Sequence, residues 1–292
     1  MDFKVAKRGV RELMKNTLVD LSVPCQQVME AARYMSLNES GGFYRPLLLL
    51  AAAKGYSVPL ENAYPFAAAI EFIHCASLID DDMADKSDLR RQLPSCHKAF
   101  GKDIARLANT FLVQKAYGLI IEGNDYPLTI KQKILSRAYK AGIGMALGQE
   151  RDITQQGLDT ATDIIRMYEK KSGLLIGLAL ATGGIIGRSC PQDVDNLNHI
   201  GIKAGIGYQI IDDTLDELAP SDLTGKPQGQ DKNKKTLLKL VGLEEVKKIK
   251  SEADAEVDRS FKNLHGDHSL LGDMLLHLRH KHDNRLQGIV TT

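Results

Sequence analysis

Residues 62–80 read NAYPFAAAIEFIHCASLID and run directly into the acidic sequence DDMAD at 81–85. Apolar and small side chains recur here at helical spacing, at Phe66, Ala69, Ile70, Ile73 and Ser77. The same periodicity continues over 6–20, 103–122, 129–149, 161–188, 192–218, 243–264 and 269–286. Strand-like alternation bounded by hairpin turns is absent, and the breaks between segments are short. The sequence therefore predicts an all-α fold with a single domain over residues 1–292.

The composition excludes several classes of protein. The chain has 38 Lys and Arg against 37 Asp and Glu, a net charge of +1, which does not favour a nucleic-acid binder. It has no Trp and only 5% aromatic residues, which disfavours β-sandwiches and barrels. The four scattered cysteines form no CxxC pair and are typical of reduced thiols. The charged N-terminus and the lack of a long apolar run predict a cytoplasmic protein without a membrane span.

Two acidic clusters carry the chemistry. DDMAD at 81–85 and DDTLD at 212–216 each follow an apolar helical segment. Residues four apart share a helix face, so Asp81 lies with Asp85, and Asp212 with Asp216. Carboxylates crowded in this way need a cation, and hard oxygen ligands suit Mg²⁺, which commonly bridges carboxylates to phosphate oxygens. A single cluster is more often a solvated helix end, but two copies predict a metal clamp for a diphosphate.

Basic residues stand beside both clusters. Arg90 and Arg91 follow the first, Lys171 ends a helical stretch, and Lys226 follows the second, with Lys234 and Lys235 shortly after. Mg²⁺ alone does not saturate the oxygens of a diphosphate, and arginine and lysine side chains can supply the remaining contacts. Each cation taken singly is more often a surface residue, so the prediction depends on their placement.

Six motifs together give the chain a close resemblance to the trans-isoprenyl diphosphate synthases of the polyprenyl synthetase family: GGFYRP, EFIHCASLIDDDMADKSDLRR, GQERDI, KKSGLL, GYQIIDDTLDE and GKPQGQD. The resemblance implies an isoprenoid-synthase-type helical bundle around a deep central cavity, and a homodimer. It also implies a prenyltransferase that condenses isopentenyl diphosphate with an allylic diphosphate, through a Mg²⁺-assisted carbocation. The product would be farnesyl, geranylgeranyl or longer diphosphate.

The resemblance also assigns roles to individual residues. The residues implied as the main Mg²⁺ ligands are Asp81, Asp85 and Asp212, supported by Asp82, Asp213 and Asp216. Three Mg²⁺ ions are implied when diphosphate is bound. Those implied for the allylic diphosphate are Arg90, Lys171, Gln209, Lys226 and Lys234, of which Lys171, Gln209 and Lys226 would be catalytic. Those implied for the diphosphate of isopentenyl diphosphate are Arg45, His74 and Arg91. Gln149 and Asp152 would line the cavity.

The chain departs from the family pattern at three places. The family motif GGKxxRP has a lysine three residues before its arginine, where this chain has Gly42. Asp80 replaces a histidine before the first acidic cluster, and Asn109 and Thr110 stand where Gly-Asp is common. The isopentenyl site therefore lacks one cation. After the second cluster, Lys234 or Lys235 can take the last lysine role, and the spacing to Thr236 favours Lys234.

The predicted floor of the cavity sets product length. Ala76 and Ser77, one turn before Asp81, are small and would not block a growing chain. A floor could come instead from Phe111 or Tyr117 on the following helix. The sequence thus predicts a product of farnesyl length or longer, with geranylgeranyl as the central expectation.

Parts of the sequence are also compatible with other functions. The weakened isopentenyl site leaves open a terpene-synthase-like enzyme that ionises an allylic diphosphate without condensation. A non-catalytic partner subunit would be expected to lose its acidic clusters, and both are present. Glu71 and His74 form an ExxH motif of the di-iron type, but a second copy is missing. The C-terminal histidines are interpreted as a solvated helix end: His265, His268, His277, His280 and His282.

Overall fold

The computed structural model describes residues 2–19, 26–218 and 234–290, without the side chains of 282 and 285–290. Its first helices are α1 (Phe3–Thr17), α2 (Gln27–Ser36), α3 (Tyr44–Gly55) and α4 (Leu60–Ala84). After two short strands follow α5 (Cys96–Phe100), α6 (Lys102–Ile121), α7 (Leu128–Thr154) and α8 (Ala161–Tyr168). A π-helical turn (Glu169–Gly173) leads into α9 (Leu174–Ile186), α10 (Pro191–Leu218), α11 (Leu237–Lys262) and α12 (Ser269–Val290). The predicted all-α fold is confirmed.

Helices α4 and α9 form the centre of the bundle. α4 packs against α1, α3 and α6, and α9 packs against α3, α7 and α10. Almost every residue of α9 is buried, as expected for a helix that is apolar on all sides. None of the helices in the described ranges is both long and apolar enough to cross a membrane. The uncharged stretch at 172–187 lies in the core, where it forms the end of the π-helical turn and helix α9.

Glycines let α10 approach the π-helical turn closely. A Cβ atom on Gly205 would lie 2.6 Å from the Cα atom of Gly173, and one on Gly201 would lie 2.5 Å from the amide nitrogen of Gly177. Larger residues would push the two helices apart. The contact brings Asp213, near the end of α10, within hydrogen-bond distance of Tyr168, and Gln209 within hydrogen-bond distance of Ser172 in the π-helical turn. Such turns are often found at functional sites.

A small hairpin follows α4, where the sequence predicted no strands. Strands β1 (Leu89–Arg90) and β2 (Leu93–Pro94) are antiparallel, and Arg90 pairs with Leu93. Arg91 and Gln92 form the two-residue turn, with φ of 53° and 65°. Positive φ at both positions is the geometry of a type I′ turn. The turn separates the two arginines, so that Arg90 reaches back to α4 while Arg91 reaches the loop before α3.

Candidate active site

The first acidic cluster lies at the C-terminal end of α4. The amide of Asp85 donates to the carbonyl of Asp81 at 2.9 Å, so the two side chains lie one turn apart on one face. Asp81 Oδ1 is 3.9 Å from Lys171 Nζ, and Asp85 Oδ1 is 3.3 Å from Lys234 Nζ. Burial, followed by the charges of neighbouring carboxylates, raises the pKa of Asp81 against the opposing effect of Lys171 and Arg90. This carboxylate is therefore in a site that favours a bound cation.

Asp82 faces the protein interior. Its side chain is fully buried and accepts hydrogen bonds from Arg90 Nε at 2.9 Å and Nη2 at 2.5 Å. Burial alone would lower the pKa of Arg90, but Asp82 and the charges of Asp81 and Asp212 raise it. Arg90 is thus held by the first cluster and is also within electrostatic range of Asp212 in the second cluster.

The second acidic cluster is supported by neutral donors. Asp213 accepts hydrogen bonds from the Tyr168 hydroxyl at 2.5 Å and from Gln209 Nε2 at 2.7 Å. Gln209 in turn accepts from the Ser172 hydroxyl at 2.5 Å. Burial and the charge of Asp213 raise the pKa of Tyr168, so its hydroxyl remains a donor at neutral pH. Asp213 and Gln209 are therefore locked by contacts with each other and with the segment that carries Lys171.

Asp152 on α7 links the two lysines of the site. Its Oδ2 atom lies 2.6 Å from Lys171 Nζ and 3.0 Å from Lys234 Nζ. Burial would raise the pKa of Asp152, but the two ammonium groups lower it. Asp81 and Asp152 likewise raise the pKa of Lys171 against the effect of burial. The ammonium groups of Lys171 and Lys234 are therefore held over the first acidic cluster by one shared carboxylate.

Of the two candidates for the last lysine role, Lys234 lies in the site. Lys235 points elsewhere, with its Nζ atom 2.8 Å from Asp159. Lys226 lies outside the described residues, and its predicted role stays a prediction.

Arg45 and His74 meet at the other end of the site. Arg45 Nη1 lies 3.1 Å from His74 Nε2, and because a guanidinium can only donate, this imidazole nitrogen is the acceptor. Burial and the charges of Arg45, Arg91 and Arg90 hold the pKa of His74 well below its usual range. Burial also raises the pKa of Glu71 against the effect of Arg45 and Arg91. The ExxH residues thus lie among cations, unlike a di-iron site.

A cavity opens from the first acidic cluster between α4, α6 and α7. Asp81 and Lys171 lie at its polar end, and Ala76 and Ser77 line its wall. Its other lining residues are mostly small or apolar: Ile73, Asp80, Asn109, Val113, Tyr117, Ala138, Gly142, Met145, Ala146 and Gln149. Both polar atoms of the Gln149 amide are buried without a hydrogen-bond partner within the described part of the chain. The predicted cavity beside the first cluster is therefore present.

Phe111 departs from its predicted place. Among the described residues that line the cavity, α6 contributes Asn109, Val113 and Tyr117, but not Phe111. Residues 109, 113 and 117 share one helix face, whereas a residue two positions on from Asn109 points about 200° away. The Phe111 ring instead lies 5.4 Å from Lys115 Nζ. Tyr117 is the aromatic residue of α6 that faces the cavity.

The C-terminal histidines do not all form a solvated helix end. His268 is 4% exposed, and its ring packs edge-on against Tyr56 at 4.7 Å. His265 lies 3.0 Å from the buried Asp193, which also accepts from the Tyr56 hydroxyl at 2.9 Å. These two residues anchor the segment before α12, a tertiary role that helical spacing cannot reveal.

Sequence reasoning also missed the support of the second cluster. Tyr168 and Ser172 flank Lys171, and the only local signal was their spacing around it in YEKKSG. Their hydrogen bonds to Asp213 and Gln209 cross 45 and 37 residues of chain. Such contacts depend on the close packing of α10 against α8 and the π-helical turn.

Comparison with known proteins agrees with this geometry. Residues 26–266 match the family model for polyprenyl synthetase. The farnesyl diphosphate synthase of Geobacillus stearothermophilus is 33% identical over 82% of this chain and 84% of its own. The geranylgeranyl diphosphate synthase of Methanosarcina mazei is 30% identical over 77% of this chain and 70% of its own. A Helicobacter pylori geranyltransferase structure, complexed with magnesium and isoprenyl diphosphate, has a TM-score of 0.81 at 25% identity and covers 95% of both chains.

Proposed function

Since this chain belongs to the polyprenyl synthetase family and is a trans-prenyltransferase, we propose that it condenses isopentenyl diphosphate with an allylic diphosphate to give farnesyl diphosphate or a longer product. The observation that carries the proposal is the group of three cations, Arg90, Lys171 and Lys234, held against the first acidic cluster. The second cluster is in electrostatic range of Arg90 and is supported by Tyr168 and Gln209. An apolar cavity starts at the first cluster.

The carboxylates proposed to hold Mg²⁺ are Asp81 and Asp85 on α4 with Asp212 and Asp216 on α10. The donor set fits, because all are oxygen ligands and Asp81 lies in surroundings that disfavour its unpaired negative charge. Bound Mg²⁺ would neutralise charge that develops on the diphosphate as it departs. Asp82 and Asp213 act indirectly in this proposal, by holding Arg90 and Gln209 in place.

The allylic diphosphate would be held by Arg90, Lys171, Gln209 and Lys234, with Lys226 as the further expected contact. Preorganised cations stabilise a leaving anion because they need no reorganisation during the reaction. The allylic C–O bond breaks, the resulting carbocation lies in the apolar cavity, and exclusion of water protects it. The isopentenyl double bond then attacks the cation, and a proton passes to the departed diphosphate.

Arg45, His74 and Arg91 would hold the diphosphate of isopentenyl diphosphate. The neutral His74 ring orients Arg45 by accepting one of its hydrogen bonds. The remaining donors of the guanidinium suit a diphosphate, since arginine binds phosphate oxygens through several N–H groups at once. This end of the site contains no acidic cluster among the described residues, so it does not need a metal for anion binding.

Product length would be set by the cavity below Asp81. Ala76 and Ser77 leave its upper wall open, and the Tyr117 ring is the largest side chain that lines it. We propose a product of farnesyl length or longer, with geranylgeranyl diphosphate as the central expectation.

The proposal includes a homodimer. Tyr139, Ile143 and Leu147 on α7 are each about half exposed, at 51%, 56% and 46%. They are spaced four residues apart and therefore form one apolar stripe, on a face of α7 that does not line the cavity. A second copy of this chain would cover that stripe, and sedimentation analysis of Ile143→Glu beside the unaltered protein tests it. A monomeric variant with a dimeric parent supports the interface.

The function is tested by offering dimethylallyl, geranyl and farnesyl diphosphates with Mg²⁺, with and without isopentenyl diphosphate. Elongated diphosphates that form only when isopentenyl diphosphate is present support the proposal, and their lengths give the product. Hydrocarbons or alcohols formed without isopentenyl diphosphate would show a terpene-synthase-like enzyme instead. The same reaction in EDTA is the control for metal dependence.

A further inference from the structure

Lys7 on α1 reaches the loop that begins α3. Its Nζ atom donates a hydrogen bond of 2.6 Å to the carbonyl of Gly41. The same ammonium lies 5.2 Å from the centre of the Phe43 ring, which is 3% exposed. Phe43 adopts a left-handed backbone conformation, with φ of 54°. Lys7 is therefore fixed against a strained loop that leads directly to Arg45.

Arg91 approaches the same glycine. A Cβ atom on Gly41 would lie 2.8 Å from Arg91 Nη1, so the guanidinium occupies the space where a side chain would be. Lys7 and Arg91 thus flank one buried residue of the loop. Two cations brought together from distant parts of the chain repel each other, and the arrangement needs a compensating anion.

The protein itself provides little negative charge to balance these cations. Burial lowers the pKa of Lys7, and the charges of Arg11 and Arg91 lower it further, with Glu71 opposing. Glu71 is only 1% exposed, and its Oε2 atom has no hydrogen-bond partner within the described residues. Arg45 Nε is likewise buried without a hydrogen-bond partner within the described residues. Glu71 therefore faces Lys7, Arg11, Arg45 and Arg91, and Arg11 has one further partner, the exposed Glu39 at 4.0 Å. The positive charge still exceeds the negative charge here, which suits a diphosphate.

The Tyr44 ring fills the space beside Gly42. A Cβ atom on Gly42 would lie 2.4 Å from Cε2 of the Tyr44 ring. The Tyr44 hydroxyl accepts a hydrogen bond of 2.9 Å from Lys281 Nζ, which ties the ring to α12. Position 42 thus carries no cation, and another element would have to supply the one missing from this loop.

We infer that Lys7 supplies this cation and binds the diphosphate of isopentenyl diphosphate together with Arg45 and Arg91. The ammonium has three N–H groups, and Gly41 uses one of them. The inference rests on the proposed function, because it assigns a further residue to the isopentenyl end of that site. Lys7 lies outside every motif of the sequence, on a helix that the family motifs do not include.

The first test compares Lys7→Met with Lys4→Met. Lys4 is exposed on the same helix, so its variant removes an equal charge away from the loop. Lys7→Met is expected to raise the KM for isopentenyl diphosphate about tenfold or more, as for loss of a charged hydrogen bond, with the KM for the allylic substrate unchanged. Lys4→Met is expected to match the unaltered enzyme. Lys7→Arg keeps the charge and should recover most of the loss.

A second test separates binding from loop support. Lys7→Gln keeps an N–H donor for Gly41 but removes the charge, so a residue that only holds the loop should tolerate it. We expect Lys7→Gln to behave like Lys7→Met. Thermal unfolding in EDTA adds a readout without turnover: isopentenyl diphosphate should raise the Tm of the unaltered protein and of Lys4→Met, but raise that of Lys7→Gln less.

The outcomes distinguish this inference from the proposed function. If the unaltered protein forms no elongated product with any allylic starter, the proposed function fails. If it elongates, and Lys7→Met and Lys7→Gln retain its KM for isopentenyl diphosphate, only the assignment of Lys7 is wrong. If Lys7→Met does not fold, the comparison of Lys7→Gln with Lys7→Arg tests the assignment instead. Equal KM values of these two variants for isopentenyl diphosphate would overturn it.

Discussion

The two ends of the active site balance their charges differently. At the metal end, Lys171, Lys234 and Arg90 are each paired with a carboxylate, within 2.6, 3.0 and 2.5 Å. At the isopentenyl end, Arg45 is paired with a neutral imidazole and Lys7 with a backbone carbonyl. No described carboxylate forms a salt bridge with either of them. At the first end every one of these cations is thus paired with a carboxylate and the acids are in excess, whereas the second end keeps a positive excess.

This difference separates the tasks of the two ends. Where the cations are already paired, an incoming diphosphate must replace their carboxylate partners. The released carboxylates then need Mg²⁺ to compensate their negative charge. Where cations lack carboxylate partners, the anion itself completes the site. We therefore expect changes at the metal end to act mainly on turnover, and changes at the isopentenyl end to act mainly on the KM for that one substrate.

The largest effect is expected from Asp81→Asn. The amide keeps the shape of the side chain but removes a negative charge from the proposed metal ligand, so kcat should fall by about 10²–10³-fold or more. The KM for isopentenyl diphosphate should change little. Asp103→Asn is the control, because Asp103 is an exposed acid that pairs with Arg106 on the same helix. Steady-state kinetics decides, and full activity of Asp81→Asn would refute the metal clamp.

Arg45→Gln tests the other end. Loss of a charged hydrogen-bond donor should raise the KM for isopentenyl diphosphate about 10- to 100-fold, as expected for one charge-assisted contact. The KM for the allylic substrate should stay the same. Arg45→Lys keeps the charge but not the planar donors, so its KM should lie between the two. Equal increases in both KM values would mean that the two ends are not separate.

Substitutions in the cavity wall are expected to have a smaller effect, a change in the length of the main product. Ala76→Phe places a ring in the cavity wall, one turn before Asp81, and should shorten the main product without changing the KM for isopentenyl diphosphate. Tyr117→Ala should lengthen it. Phe111→Ala is the matched control on the same helix, because its ring lies outside the cavity lining. Chromatography of the dephosphorylated products checks all three variants, and an unchanged length in Ala76→Phe would contradict the cavity as the determinant.

These regions also differ in how far the sequence predicted them. The acidic clusters depend on spacing within one helix, so Asp81 and Asp85 could be placed on a common face from the sequence alone. Lys234 was preferred over Lys235 by its spacing to Thr236, and the structure places Lys234 beside Asp85. Local pattern is sufficient where both partners lie on one element or beside a motif.

The errors arose where tertiary contacts or turn geometry decide. The hairpin at 89–94 turns through Arg91 and Gln92, whereas the usual signal for such a turn is Asn-Gly or Asp-Gly. Phe111 and Tyr117 were alternatives for the cavity floor, and only Tyr117 is among the lining residues. Lys7 carries no motif, and its contact with Gly41 spans 34 residues. No pattern within a single segment encodes these contacts.

The smallest expected effect is on the pH dependence of the free energy of unfolding, and it reports on the protonation of His74. Because the folded protein holds the pKa of His74 well below the usual 6.5, the unfolded chain binds this proton more readily. Unfolding free energy should therefore fall as pH drops below about 6.5, by at most about 1.4 kcal/mol per pH unit for one group. Asp152 does not contribute in that range, because its lowered pKa makes its stabilisation vanish only at far lower pH.

Urea unfolding of the unaltered protein and His74→Gln between pH 7.5 and 5.5 measures the difference. Gln retains an acceptor for Arg45 but has no titrating group, so its unfolding free energy should fall less on acidification. The comparison also removes the contribution of Glu71, whose raised pKa acts in the opposite direction and is present in both proteins. His277→Gln, at an exposed position, is the control and should follow the unaltered protein. Parallel curves for all three would mean that His74 shares the protonation of an ordinary histidine, and the argument for a neutral ring that orients Arg45 would fail.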